Sequence, residues 1–127
     1  MKTFKFLLLA VAAIVCLSAC SKSKDDSPGS SVHKAKFRVE VSAGASIIGM
    51  TYGYDDQFKT QSTPSGTVWE SAEVTIPAGA RTVWMETSGQ SPNASGTMKA
   101  QIYIDGVLKK EVTSSGVALV GSPRYNF

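Results

Sequence analysis

From residue 34 onward, apolar and polar side chains alternate with a period of two, broken at short intervals by glycine, proline, asparagine and serine. Phe37, Val39 and Val41 fall on one side of an extended segment, and Lys36, Arg38, Glu40 and Ser42 on the other, which predicts a half-buried strand. After Ala43-Gly44-Ala45, the run from Ile47 to Tyr54 is rich in β-branched and aromatic residues. Met50, Tyr52 and Tyr54 are in phase with Ile48 there, while Gly49 and Gly53 mark bulges or a close backbone approach. Asp55-Asp56-Gln57 reads as a turn, Phe58 to Gln61 as a short edge strand and Ser62 to Gly66 as a loop. Thr67 to Ile76 is expected to be one strand with Ala72, Val74 and Ile76 inward, and Arg81 to Thr87 another. The clearest local signal is Met98 to Ile104, then Asp105-Gly106, then Val107 to Thr113. Asp-Gly tolerates the positive φ angles of a type I′ turn, so these two runs should form a hairpin with Met98, Ala100, Ile102 and Ile104 facing the core. Val117 to Val120 adds a last apolar strand. No stretch of this region has a helical period, and roughly seven or eight short strands separated by turn residues predict an antiparallel β-sandwich of immunoglobulin-like architecture.

The N-terminus follows a different pattern. Lys2 and Lys5 precede the unbroken apolar run Phe6 to Val15, which is too short to span a bilayer comfortably and has the form of an export signal. The alternative is an uncleaved membrane anchor; small residues at Ser18 and Ala19 and the lack of a directly following basic cluster favour cleavage. Leu17-Ser18-Ala19-Cys20 resembles the lipobox of bacterial lipoproteins, which implies a diacylglyceryl group on the Cys20 thiol, cleavage before it and acylation of the new amine. Residues 1–19 are then the signal and 20–33 a lipidated tether, since Ser21 to Ser31 contains no apolar residue. The sandwich occupies 34–127. Lys24-Asp25-Asp26 looks like the acidic signal that directs Bacteroidetes lipoproteins to the cell surface, so the expected location is the outer membrane, on its surface or its periplasmic face.

Processing changes the charge balance. The chain carries 13 basic and 10 acidic residues, and removing Lys2 and Lys5 leaves 11 basic ones and a net charge of +1. That near-neutral, interspersed distribution lacks the basic stripe that nucleic-acid binding requires. Both cysteines, Cys16 and Cys20, precede the domain, so its fold must be held by its core without a disulfide. About 95 residues suffice for a modest core of that kind.

Val68-Trp69 through Val74, the strand ending in Trp84, and above all Ile102-Tyr103-Ile104-Asp105-Gly106-Val107-Leu108 with Thr113-Ser114-Ser115-Gly116 resemble the extracytoplasmic domain of MmpS-type transport accessory proteins. The resemblance covers about the last 80 residues. It implies a small membrane-tethered β-sandwich that assists a lipid-exporting transporter. The chain departs from that pattern in having a lipobox instead of a retained transmembrane helix, and in lacking a cysteine pair near its C-terminus.

Catalytic chemistry has little to draw on. His33 is the single histidine and falls at the end of the tether, where a solvated spacer is the expected role, and no serine or threonine has an evident base for a nucleophilic triad. Asp55-Asp56 supplies too few ligands for a calcium loop, and Glu70, Glu73 and Glu86 suit outward strand positions better than a glycosidase pair. Neither a cofactor nor a metal is expected, and the domain reads as non-catalytic. Aromatic residues offer the better lead. Trp69 is out of phase with Ala72, Val74 and Ile76, and Trp84 with Val83 and Met85, so at least one is expected on an outer face; the alternatives are a bulge that returns both to the core, or a position of both at an open end of the sandwich. Trp69, Trp84 and Tyr103 of the hairpin are the candidate contact residues. The expected partners are the membrane, through Cys20, and an envelope protein, with a glycan- or lipid-binding module as the alternative.

Overall fold

A computed structural model describes residues 31–127; the signal segment and Cys20 lie outside the described residues. Ten strands follow one another: β1 (His33–Val41), β2 (Ser46–Tyr54), β3 (Gln57–Ser62), β4 (Val68–Glu70), β5 (Val74–Ile76), β6 (Thr82–Gln90), β7 (Thr97–Ile104), β8 (Val107–Ser115), β9 (Ala118–Gly121) and β10 (Arg124–Asn126). They form two antiparallel sheets. Sheet A has the order β4-β1-β7-β8, with β5 also pairing β1; sheet B has the order β10-β6-β2-β3, with β9 also pairing β6. The two sheets pack face to face as a β-sandwich. The inner face of sheet A contributes Ala35, Phe37, Val39, Ala100 and Ile102, all fully buried, and sheet B answers with Ile47, Met50, Val83, Met85 and Leu119.

Two hairpins come from local turn chemistry. Asp105 and Gly106 both take positive φ, 51° and 81°, so the Asp-Gly turn closes β7 on β8 with Ile104 opposite Val107. Asp55, at φ 44°, turns β2 into β3 with Tyr54 opposite Gln57.

Strands exceed the expected number because the 67–76 run is divided and the tail adds β10. The division has a physical cause. Along β1, Val39 faces Trp69 and Ala35 faces Val74, and between them the Ser71 amide donates to the Phe37 carbonyl at 2.9 Å while the Phe37 amide donates to Ser71 Oγ at 3.0 Å. One extra residue on the β4–β5 side is accommodated there, so Ala72, expected inward, is exposed, whereas Trp69, Ser71, Val74 and Ile76 point toward the core side. A second bulge, between Ile47 and Gly49, buries Ile47 and leaves Ile48 47% exposed, reversing the phase expected for Ile48. The first strand also starts one residue earlier than expected. His33 pairs with Ile76, its Nδ1 lies 2.6 Å from Asp105 Oδ2, and its ring stacks on Phe127 at 4.8 Å, so it belongs to the fold and is no spacer.

Candidate functional site

After the bulge, β2 sends Met50, Tyr52 and Tyr54 toward the core side and leaves Gly49, Thr51 and Gly53 on the outer face of sheet B. In-register neighbours complete that face. One row across the sheet runs Phe58, Gly53, Trp84, Arg124; the next contains Thr60, Thr51 and Glu86; a third runs Ser62, Gly49, Ser88, Val120.

The first row is built around an absence. Phe58 and Trp84 sit on strands either side of β2, about 10 Å apart by strand spacing, yet their ring centroids are 6.0 Å apart. The rings close over Gly53, where an added Cβ would strike the Gln57 carbonyl oxygen and lie 2.7 Å from Phe58 Cα. Trp84 is fixed in place. Its indole Nε1–H donates to the Asp55 carbonyl at 2.9 Å, and the Asp55 carboxylate accepts the amides of Arg81 and Thr82, each at 3.0 Å. Asp55 is thus a turn clamp; its carboxylate is committed to backbone N–H groups, and no group of three histidine, cysteine or acidic residues is placed to hold a metal among the described residues. Phe58 is 62% exposed and Trp84 half-buried, with their rings inclined at 50°, so the pair presents a preorganised apolar platform to solvent.

Beyond the platform the surface becomes hydroxylic. Gly49, Thr51, Thr60, Ser62, Ser88 and Ser122 line a shallow depression of about 440 Å³, joined by Val120 and the Glu86 carboxylate. Thr51 and Thr60 share a hydrogen bond of 3.2 Å, and Glu86 makes no ion pair among the described residues.

No protein-family model matches the chain. Nor does any curated protein resemble it at a significant level.

The three aromatic candidates occupy three different places. Trp84 stands on the outer face of sheet B. Trp69 lies opposite the buried Val39 and packs 5.2 Å from Tyr52, which in turn lies 5.0 Å from Phe37, so it closes the edge of the core; the bulge returns this one of the two tryptophans inward. Tyr103 is on the outer face of sheet A, where its hydroxyl donates to Gln101 Oε1 at 3.2 Å. Sequence reasoning missed Phe58 and the hydroxyl floor. The signal for Phe58 was the small residue opposite it, since an exposed aromatic beside a strand glycine covers the gap that glycine leaves.

The acidic residues are equally dispersed. Glu70 pairs with Lys36 at 2.9 Å and Glu73 approaches Lys34 at 3.9 Å on sheet A, whereas Glu86 is on sheet B. The hydrogen bond and charge of Lys36 hold the Glu70 carboxyl below its ordinary range and raise the Lys36 ammonium. A carboxyl held ionised in that way is a poor proton donor, and the three do not form a facing pair.

Proposed function

We propose that this chain is a lipid-anchored, non-catalytic binding module of the bacterial outer membrane, which meets its ligand through the outer face of sheet B. The supporting observation is the Phe58–Trp84 platform closed over Gly53: two aromatic rings held at an exposed surface, one of them locked by its indole hydrogen bond. Preorganised aromatics of this kind contribute to recognition because little conformational freedom is lost when they are covered. The anchor rests on the lipobox-like Leu17 to Cys20.

An envelope-protein partner of the kind implied by the MmpS-type resemblance is favoured by a different feature. Strand β3 ends sheet B, all six of its residues are exposed, and one side of its backbone is open to pairing with an added strand.

Photocrosslinking in intact membranes separates these readings. A crosslinker at Thr60 should yield adducts that disappear in Trp84→Ala, one at Arg38 on sheet A should yield none, and Cys20→Ser should release the protein from the membrane fraction. Adducts from Arg38 alone, or Thr60 adducts that survive Trp84→Ala, would refute the assigned face. Retention of an uncut Cys20→Ser chain would refute the lipid anchor.

A further inference from the structure

We infer that the outer face of sheet B takes a neutral glycan, with a pyranose ring stacked on Trp84 and Phe58 and the chain continuing across the hydroxyl floor. The inference rests on the proposal that this face is the contact surface, and names the chemistry that fits it.

The face has two unlike halves. At one end the Phe58 and Trp84 rings, inclined at 50° to one another, offer two apolar faces against which a sugar's C–H face can rest; two residue steps along β2 reach Thr51 and two more reach Gly49, a distance of about 13 Å at strand rise. A sugar chain repeats that alternation within each unit: an apolar C–H face that stacks on an aromatic ring, and a rim of hydroxyls that donate and accept hydrogen bonds. Thr51, Thr60, Ser62, Ser88 and Ser122 can do both, and Glu86 accepts from paired hydroxyls without a competing cation in an ion pair among the described residues. Gly49 keeps the floor low, because no side chain rises between Ser62 and Ser88.

Other ligands fit less well. A lipid tail needs a continuous apolar trough, and in this depression the large apolar side chains are Val120 at its edge and the buried Met50 beneath it, with Thr51, Thr60, Ser62, Ser88 and Ser122 between. A phosphorylated or otherwise anionic chain would meet Arg124 at the platform and be repelled by Glu86 farther along. A protein interface has an apolar centre and a polar rim, whereas here the apolar part is at one end and the centre is polar.

The test is titration of the purified full-length protein with cellohexaose, maltohexaose and mannohexaose, neutral chains of different linkage geometry, and in parallel with phosphatidylglycerol vesicles. At least one hexasaccharide should shift the amide resonances of Thr51, Thr60, Glu86 and Ser88, and should change Trp84 fluorescence in a Trp69→Phe background. Trp84→Ala should weaken that binding about tenfold or more, and Glu86→Gln should also weaken it, with circular dichroism unchanged; Tyr103→Ala should leave it intact. If Trp69→Phe fails to fold, the resonance shifts of the unsubstituted protein decide the matter. Absence of shifts with all three chains, shifts confined to sheet A, or vesicle binding through the same residues would overturn the glycan assignment. Should glycans fail while Thr60 crosslinks still depend on Trp84, the contact face stands and its ligand is of another class; should those crosslinks also survive Trp84→Ala, the face itself is wrong.

Discussion

On the outer face of sheet A, charged and amide groups are occupied with one another. Lys36 holds Glu70 at 2.9 Å, Arg38 reaches both Glu40 at 3.2 Å and Gln101 at 3.3 Å, Gln101 donates to Glu111 at 2.6 Å, and Tyr103 closes the chain onto Gln101. The outer face of sheet B is built from short hydroxyl side chains, glycine and an aromatic pair, with one carboxylate left unpaired among the described residues. Both faces are polar by composition, but they differ in what remains for a ligand. A newcomer to sheet A must first displace internal hydrogen bonds, each worth about 0.5–1.5 kcal/mol net. In the sheet B depression one side-chain to side-chain hydrogen bond, Thr51 to Thr60, stands in the way among the described residues. Polarity alone therefore does not identify a binding face; the degree of mutual satisfaction does.

The largest test of that contrast is at Gly53. Valine there would drive its Cβ into the Gln57 carbonyl and Phe58 Cα, so Gly53→Val should cost about 3 kcal/mol or more through displaced β3, seen as a strongly lowered melting temperature. Little change would mean that β3 pairs loosely and that the platform is not rigid.

Next comes the pair of tryptophans. Trp69→Ala opens the sandwich edge beside Tyr52 and should cost about 3 kcal/mol, the low end for a large aromatic because the ring is only partly buried. Trp84→Ala, on the outer face, should cost less than half of that in the same denaturant titration, while the effect on ligand capture should run the other way. Equal stability losses would erase the distinction between a core Trp and a recognition Trp.

The smallest effect concerns acid. Glu70 is held below its ordinary range by Lys36, and Asp105 by the His33 hydrogen bond and then the Lys34 amide. A carboxyl with a lowered folded value binds fewer protons than in the unfolded chain, so its stabilisation is present above about pH 4.5 and lost as pH falls through the lowered value. Both groups are exposed, so salt should mute the effect. The double variant Glu70→Gln, Asp105→Asn should flatten the acid limb of a melting-temperature profile below that pH, and an unchanged limb would show that sheet A's pairs contribute nothing.

Much of the fold was legible in the alternation itself. Phe37, Val39 and Val41 and the hairpin positions Met98, Ala100, Ile102 and Ile104 are buried where a period of two places them, because two-sided strands with one covered face allow a single register. Phase errors arose at the bulges after Ile47 and around Ala72, where one extra residue exchanges inside for outside; what creates the second is the Ser71–Phe37 hydrogen-bond pair, a contact between distant residues. The candidate site was less legible still. Thr51, Thr60, Glu86 and Ser88 each look like ordinary solvent-facing positions within their own strands, and their shared surface exists only once β3, β2 and β6 are laid side by side.

The position of His33 bears on how the domain would carry a mechanical load. Tension arriving from the residues before it enters β1, which is bonded to β7 on one side and to β4 and β5 on the other. Pulling along such a strand shears two ladders together, so resistance is shared by many hydrogen bonds at once instead of being met one bond at a time, as in peeling an edge. The clasp of His33 on Asp105 and Phe127 joins the point of loading to the hairpin turn and to the segment after β10, so the first residue of β1 cannot lift without parting both contacts.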